Sequence, residues 1–166
     1  GIKPLYHSKN RGYACGQLFT DRAAYVKNVV FNREGSIRKA DVIVIPEPNR
    51  TRALENHRSE RECDASLANR ITTLLNIAAL QEIDTLIVGC GRQGFPANQV
   101  ITQFKDWIDT HPGSIANIVF AVPRVHFETF NEAFGIPEPQ TTTEPEVKQE
   151  EELFDPSDLP EGVTLR

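Results

Sequence analysis

Apolar positions recur along this chain in two rhythms, one of strands and one of helices. Tyr25–Asn32 (YVKNVVFN) and Asp41–Ile45 (DVIVI) are short runs rich in Val, Ile and aromatics, the make-up of strands, with Asn32-Arg33-Glu34-Gly35 as the turn between them. Ser59 with Glu62 three residues on is a capping-box signature. After it, Leu67, Ile71, Leu74, Leu75 and Ala78 fall on one stripe of a helix of about five turns. Thr85–Val88 (TLIV) is a short continuous apolar run, as expected for a strand covered on both faces. Pro96 stands where a second helix opens, with Val100, Phe104, Trp107 and Ile108 as its stripe. Ile118–Val122 (IVFAV) reads as another buried strand. Phe127, Phe130 and Phe134 mark a final short helix, which Gly135 is placed to stop.

The order is therefore β-β-α-β-α-β-α, with helices long enough to be crossovers. That alternation predicts an α/β fold, a three-layer α/β/α sandwich around a mostly parallel mixed sheet. Ligands of such sheets sit outside the C-terminal ends of the strands, and the Gly89–Gly94 turn lies at such an end.

Charge divides the chain in two. From Ile136 onward nine acids face only Lys148 and Arg166, a net −7 that leaves residues 1–135 at about +2 out of a total of −5. This acidic Pro/Glu/Thr-rich segment, 136–166, cannot bury enough surface to offset its ordering entropy and is expected to be disordered or extended. Its apolar pair Leu153-Phe154 either docks on a partner or on the parent domain or belongs to a merely solubilising tail. Residues 1–135 form the expected α/β domain, and a nearly neutral body of this kind carries no nucleic-acid footprint. No apolar run reaches the roughly 20 residues of a membrane span.

Cys15, Cys63 and Cys90 are too few and too scattered for a disulfide framework or a CxxC metal motif, and a cytoplasmic setting is expected. His7, His57, His111 and His126 show no metal spacing and read as surface or capping residues. No metal and no cofactor are expected.

The chemistry concentrates in Asp84–Val100, DTLIVGCGRQGFPANQV. A glycine-rich bend between strand and helix leaves backbone N–H groups free to face an anion, and the helix dipole adds its positive end. Gly89, Cys90, Gly91, Arg92, Gln93, Gly94 and Phe95 are the candidate diphosphate-binding residues, with Arg92 able to add a charge-assisted contact. A tight turn made for packing alone would use the same glycines. Cys90 reads as a small buried thiol rather than a nucleophile, since no His is near it in sequence. Asn49 either meets a ribose or base edge or caps a turn. Glu47, between Pro46 and Pro48, is the acid best placed for general-base work, or else a surface carboxylate. Asn49–Glu62 (NRTRALENHRSERE) mixes signs as a solvated loop entering a helix does, with a flap over a pyrophosphate as the alternative.

Taken in order, YVKNVVFNREG (25–35), DVIVIPEPN (41–49), LIVGCGRQGFP (86–96), IVFAV (118–122) and HFETFNEAF (126–134) resemble the C-terminal part of a macrodomain. The likeness is closest to the microbial-type poly(ADP-ribose) glycohydrolase family and spans roughly residues 5–134. It implies an ADP-ribose ligand held by its diphosphate on the glycine loop and, in a complete member, hydrolysis of O-glycosidic ADP-ribose linkages. Two departures stand out. Arg92-Gln93 occupy places where that family prefers an apolar residue and an aromatic, and its short insertion before GCG is absent. The family's catalytic Gly-Gly-Gly run with paired acids is also not found in residues 1–57, so catalytic residues are not assigned. The expectation is a fold short of its N-terminal portion, which another chain could supply to cover an open sheet edge. The rival functions are a non-catalytic reader of ADP-ribose or an NAD-derived signal, and an interaction scaffold acting through the acidic tail.

Overall fold

The structure, a computed structural model, describes residues 15–136. The acidic segment beyond 136, Leu153-Phe154 included, and residues 1–14 lie outside the described residues. A short 3-10 turn at Cys15–Gln17 precedes β1 (Ala24–Arg33) and β2 (Ser36–Val44). Helices α1 (Arg50–Glu55) and α2 (Glu60–Leu80) follow, then β3 (Thr85–Gly89), α3 (Ala97–Thr110), β4 (Asn117–Ala121) and α4 (Arg124–Phe134).

β1 and β2 form an antiparallel hairpin closed by Glu34-Gly35, both at positive φ, with Arg33 opposite Ser36. That turn matches the right-handed twist of the strands it joins. The pairing slips between Val26 and Val29, and there Asn28 N–H donates to Asp41 Oδ1 at 2.8 Å. β3 and β4 run parallel, with Leu86 opposite Ile118 and Val88 opposite Phe120. The described strands thus make two separate two-stranded sheets, one antiparallel and one parallel, rather than one continuous sheet.

The helices begin where the sequence punctuates them. Ser59 caps α2 with both halves of the capping box formed. Pro96 is the N-cap of α3 and Pro123 that of α4. Gly135 takes the C-cap of α4, but in extended rather than left-handed backbone. The stretch expected as a solvated loop entering a helix does enter α2, but its first part folds into α1 as well, because Asn49 Oδ1 accepts the Arg52 N–H and supplies a cap. Ion pairs Arg50–Glu60 and Arg58–Glu62 then absorb the mixed charges on either side of the α1–α2 junction.

The core gathers the α2 stripe (Leu67, Ile71, Leu74, Leu75, Ala78), the α3 stripe (Val100, Phe104, Trp107) and Leu86 and Val88 of β3. Phe104 meets Phe120 edge-to-face at 4.9 Å, and Phe120 stacks on Phe134 at 4.5 Å. Trp107 Nε1 donates to Asn76 Oδ1 at 2.9 Å, tying α3 to α2, while its ring stacks on His111.

Two expectations change here. β3 and β4 are covered on one face only: Leu86, Val88, Ile118 and Phe120 turn inward, whereas Ile87 is 71% and Val119 50% exposed on the other face. A continuous apolar run shows that both faces of a strand suit burial, not that this chain alone covers both. Phe127, expected on the buried stripe of α4, is 58% exposed, while Phe130 and Phe134 carry the packing.

Phe104 is 1% exposed and contacts strand and helix at once. Phe104→Ala is expected to cost about 3–5 kcal/mol of folding free energy, read as a lower midpoint in urea unfolding.

Candidate functional site

The C-terminal ends of β3 and β4 lie side by side, and each feeds a helix through a short turn. From β3 the chain passes through Cys90, buried in the core, to Gly91 and Gly94, which take φ of +83° and +84°. Side chains other than glycine rarely adopt that conformation, so the two glycines are what let the loop bend back on itself. A Cβ at Gly94 would stand 2.3 Å from Thr51 Oγ1, so α1 presses directly on the loop. Arg50 N–H donates to the Gln93 carbonyl at 2.9 Å and fixes that contact.

An open depression forms where the two turns meet, lined by Gly91, Arg92, Gly94, Phe95 and Pro96 on one side and Pro123, Val125 and His126 on the other. Neither α3 nor α4 has a side-chain hydrogen bond at its N-cap, since both caps are prolines. Two helix N-termini, each with first-turn N–H groups left without a capping side chain, therefore converge on one hollow. Gln99 and His126 N–H already bond back to the Pro96 and Pro123 carbonyls, and the two dipoles with the earlier amides of each turn favour an anion there. Arg92 is exposed at the rim, whereas Phe95 is buried with its side chain in the core.

Donors of the loop already face a carboxylate of the chain itself. Gly91 N–H donates to Glu47 Oε1 at 3.2 Å, across 44 positions of sequence. Burial pushes the Glu47 carboxyl above its ordinary pKa of 4.5, against the lowering effect of the Gly91 and Arg92 N–H groups and the Arg92 charge. The same burial, with the Glu47 charge beside it, pushes the Cys90 thiol up to about 12. A thiol held that high is protonated at neutral pH and does not act as a nucleophile.

The structure brings Glu47 together with Gly89, Cys90, Gly91 and Arg92. Asn49 stands one turn away as the α1 N-cap, with its own N–H donating to the Gln17 carbonyl at 2.9 Å. His126 and Val125 were not singled out from sequence. Their signal was position: they follow the strand parallel to β3, and adjacent parallel strands place their following loops at one end of the sheet. His126 Cδ2 would lie 3.5 Å from a Cβ on Gly91. Among the described residues no group of three or more His, Cys, Asp and Glu could hold a metal ion, and no helix is long and apolar enough to cross a membrane.

Two measurements follow. At pH 8 a maleimide is expected to label exposed Cys15 in the folded chain and to leave Cys90, buried and with its thiol pushed up to about 12, unmodified over the same time. Glu47 binds its proton more tightly when folded, so its contribution to stability is present below the ordinary carboxylate pKa and is lost as pH rises through the raised one. Urea midpoints of Glu47→Gln, which keeps an acceptor for Gly91, are expected to fall less than those of the parent between pH 4.5 and 7.

No protein-family model matches the chain, and no curated protein matches it in sequence. Solved structures do. The poly(ADP-ribose) glycohydrolase of Deinococcus radiodurans in complex with ADP-ribose superposes with a TM-score of 0.66 at 23% identity, over 78% of this chain and 58% of that one. Its apo form gives 0.64 at 23% identity, over 81% and 62%. A mutant of the Thermomonospora curvata glycohydrolase gives 0.62 at 25% identity, over 78% and 54%. The chain spans less than two thirds of the length of each of these neighbours. Its α/β fold is the macrodomain-like fold of microbial poly(ADP-ribose) glycohydrolases.

Proposed function

We propose that this chain binds ADP-ribose, or a nucleotide diphosphate closely like it, with the diphosphate seated in the hollow between Gly91–Pro96 and Pro123–His126. The observation that carries this reading is the convergence of two helix N-termini without capping side chains and a glycine loop at the carboxyl ends of two parallel strands. The neighbours of the same fold include a glycohydrolase crystallised with ADP-ribose. Backbone N–H groups of the loop and of the first turns of α3 and α4 donate to phosphate oxygens, and Arg92 at the rim contributes a charge-assisted contact. Glu47 and Asn49, on the segment leaving β2, stand on the side where a ribose would lie. Glu47 Oε1 already occupies the Gly91 N–H, so an incoming phosphate has to displace the carboxylate or settle beside it.

Glycoside hydrolysis needs an acid to protonate the leaving group. Glu47 is the described carboxyl at the site, and its raised pKa suits proton transfer. Its side chain is nevertheless tied to the loop, and we assign this chain the binding role within an ADP-ribosyl glycohydrolase-type fold rather than the chemistry. The domain is assigned to residues 1–135 and the acidic appendage to 136–166. The free thiols of Cys15, Cys63 and Cys90 fit a reducing, cytoplasmic setting.

Calorimetric titration of ADP-ribose tests this reading. Binding is expected for the parent chain and is expected to vanish in Gly91→Val, whose branched side chain opposes the positive φ and narrows the gap to His126. Arg92→Glu, at an exposed position, is expected to weaken binding about tenfold or more while leaving the fold intact. A folded chain that takes up no ADP-ribose, or one whose affinity ignores both substitutions, overturns the assignment.

A further inference from the structure

Helix N-termini favour acids, and α2 follows that preference with Glu60 and Glu62 in its first turn. α4 does the opposite. Its first turn, Arg124-Val125-His126 after the Pro123 cap, holds no acid and two basic side chains, placed where the helix dipole opposes positive charge. Arg124 is exposed and can turn to solvent, but His126 is half-buried. It lies across the hollow from the glycine loop, its ring carbon Cδ2 3.5 Å from where a Cβ on Gly91 would stand. A local rule broken at a half-buried position, facing a concavity, is the kind of conflict that binding sites carry.

The polar atoms of His126 divide in two. Its main-chain N–H donates to the Pro123 carbonyl at 2.9 Å. Its imidazole is left over: among the described residues neither ring nitrogen has a hydrogen-bond, ion-pair or ring-stacking partner. His111 shows what a structural histidine of this chain looks like, with its ring stacked on Trp107 and Nδ1 at 2.9 Å from the Trp107 carbonyl. Across the hollow from His126 the loop carries its own cation, Arg92, exposed at the rim. Two side-chain donors on opposite walls suit an anion with two charged centres, which is what a diphosphate is.

We propose that His126 is the second side-chain donor to the diphosphate, opposite Arg92, and that its grip tightens when the imidazole is charged. The inference rests on the ADP-ribose reading of this hollow and adds to it a ligand-binding side chain from a second segment of the chain. A neutral imidazole donates through one nitrogen, whereas the charged ring donates through both and attracts the phosphates as well. The bound anion supplies the counter-charge that the first turn of α4 lacks, so ligand binding and protonation of the ring favour each other. The charged and titratable groups around His126 are Arg92 across the hollow, Arg124 on its own turn, and Glu47 and Cys90, which adjoin Gly91. Glu128, two residues on, points from another face of α4. All of them are common to the parent and to any His126 variant, so the ratio of two affinities isolates the imidazole.

Calorimetric titration of ADP-ribose at pH 6 and pH 8 tests the proposal on three chains, with circular dichroism reporting that each is folded. His126→Phe keeps a planar ring without nitrogens, and His126→Gln keeps one neutral N–H donor. The Phe variant is expected to bind about tenfold more weakly than the parent at pH 6 and about threefold more weakly at pH 8. The Gln variant is expected to match the parent within about twofold at pH 8 and to fall behind it at pH 6. Equal affinity of the Phe variant and the parent at both pH values overturns the proposal. So does a loss of the same size at both, which is what a packing role alone would give, or a Gln variant that keeps pace with the parent at pH 6. In each of those cases the parent still binds and the ADP-ribose reading stands. A folded parent that takes up no ADP-ribose at either pH overturns that reading, and the role of His126 with it.

Discussion

A backbone amide turned away from water must find an acceptor, and at the end of β3 the amide of Gly91 finds one in the carboxylate of Glu47. That bond joins the segment leaving the β1–β2 hairpin to the loop leaving β3, two pieces of backbone whose strands do not pair with each other. The Arg50 N–H on the Gln93 carbonyl makes a second tie a few residues on, and the contact of Thr51 with Gly94 makes a third. Together they hold α1, the hairpin and the glycine loop in one register although no β-ladder among the described residues connects them. The cost of this arrangement appears at Glu47 itself, whose carboxyl is held above its ordinary pKa by burial even while two amides and Arg92 favour its charge. A charge kept where solvation is poor, in front of an anion-seeking loop, is a local conflict of the kind found at binding sites.

Much of the fold was legible because the chain is well punctuated. Glu34-Gly35, Ser59 with Glu62, Pro96 and Gly135 mark element ends by short-range chemistry that operates within three or four residues. The stripes of α2 and α3 were equally plain, since helical period and burial coincide there. What failed was coverage. Ile87 and Val119 look like buried residues in sequence because their composition suits burial, but whether anything lies over them depends on elements distant in the chain. Phe127 failed for a related reason: at three residues before Phe130 it belongs to the same helix but turns out of the aromatic cluster that Phe120 anchors.

The candidate site was half legible. Its glycines announce themselves, and the strand-loop-helix context fixes where the loop lies. The role of Asn49 was visible as one of two readings, and the geometry displays the cap. The Glu47–Gly91 bond was beyond reach, as it spans 44 positions and no local pattern marks a carboxylate as an acceptor for a distant amide. His126 was similarly hidden, being one of four scattered histidines until the parallel register of β3 with β4 places it opposite Gly91.

Trp107 is the single tryptophan of the chain; its indole N–H donates to the Asn76 amide of α2, across the α2–α3 seam, and one face stacks on the His111 imidazole. Its emission is therefore an optical gauge of one seam alone. A ligand arriving at the glycine loop has no indole within the lining of its hollow to perturb, so intrinsic fluorescence follows the melting of the helical layer while occupancy of the hollow goes unseen. For this molecule, light reports integrity, and heat or labelled nucleotide must report binding.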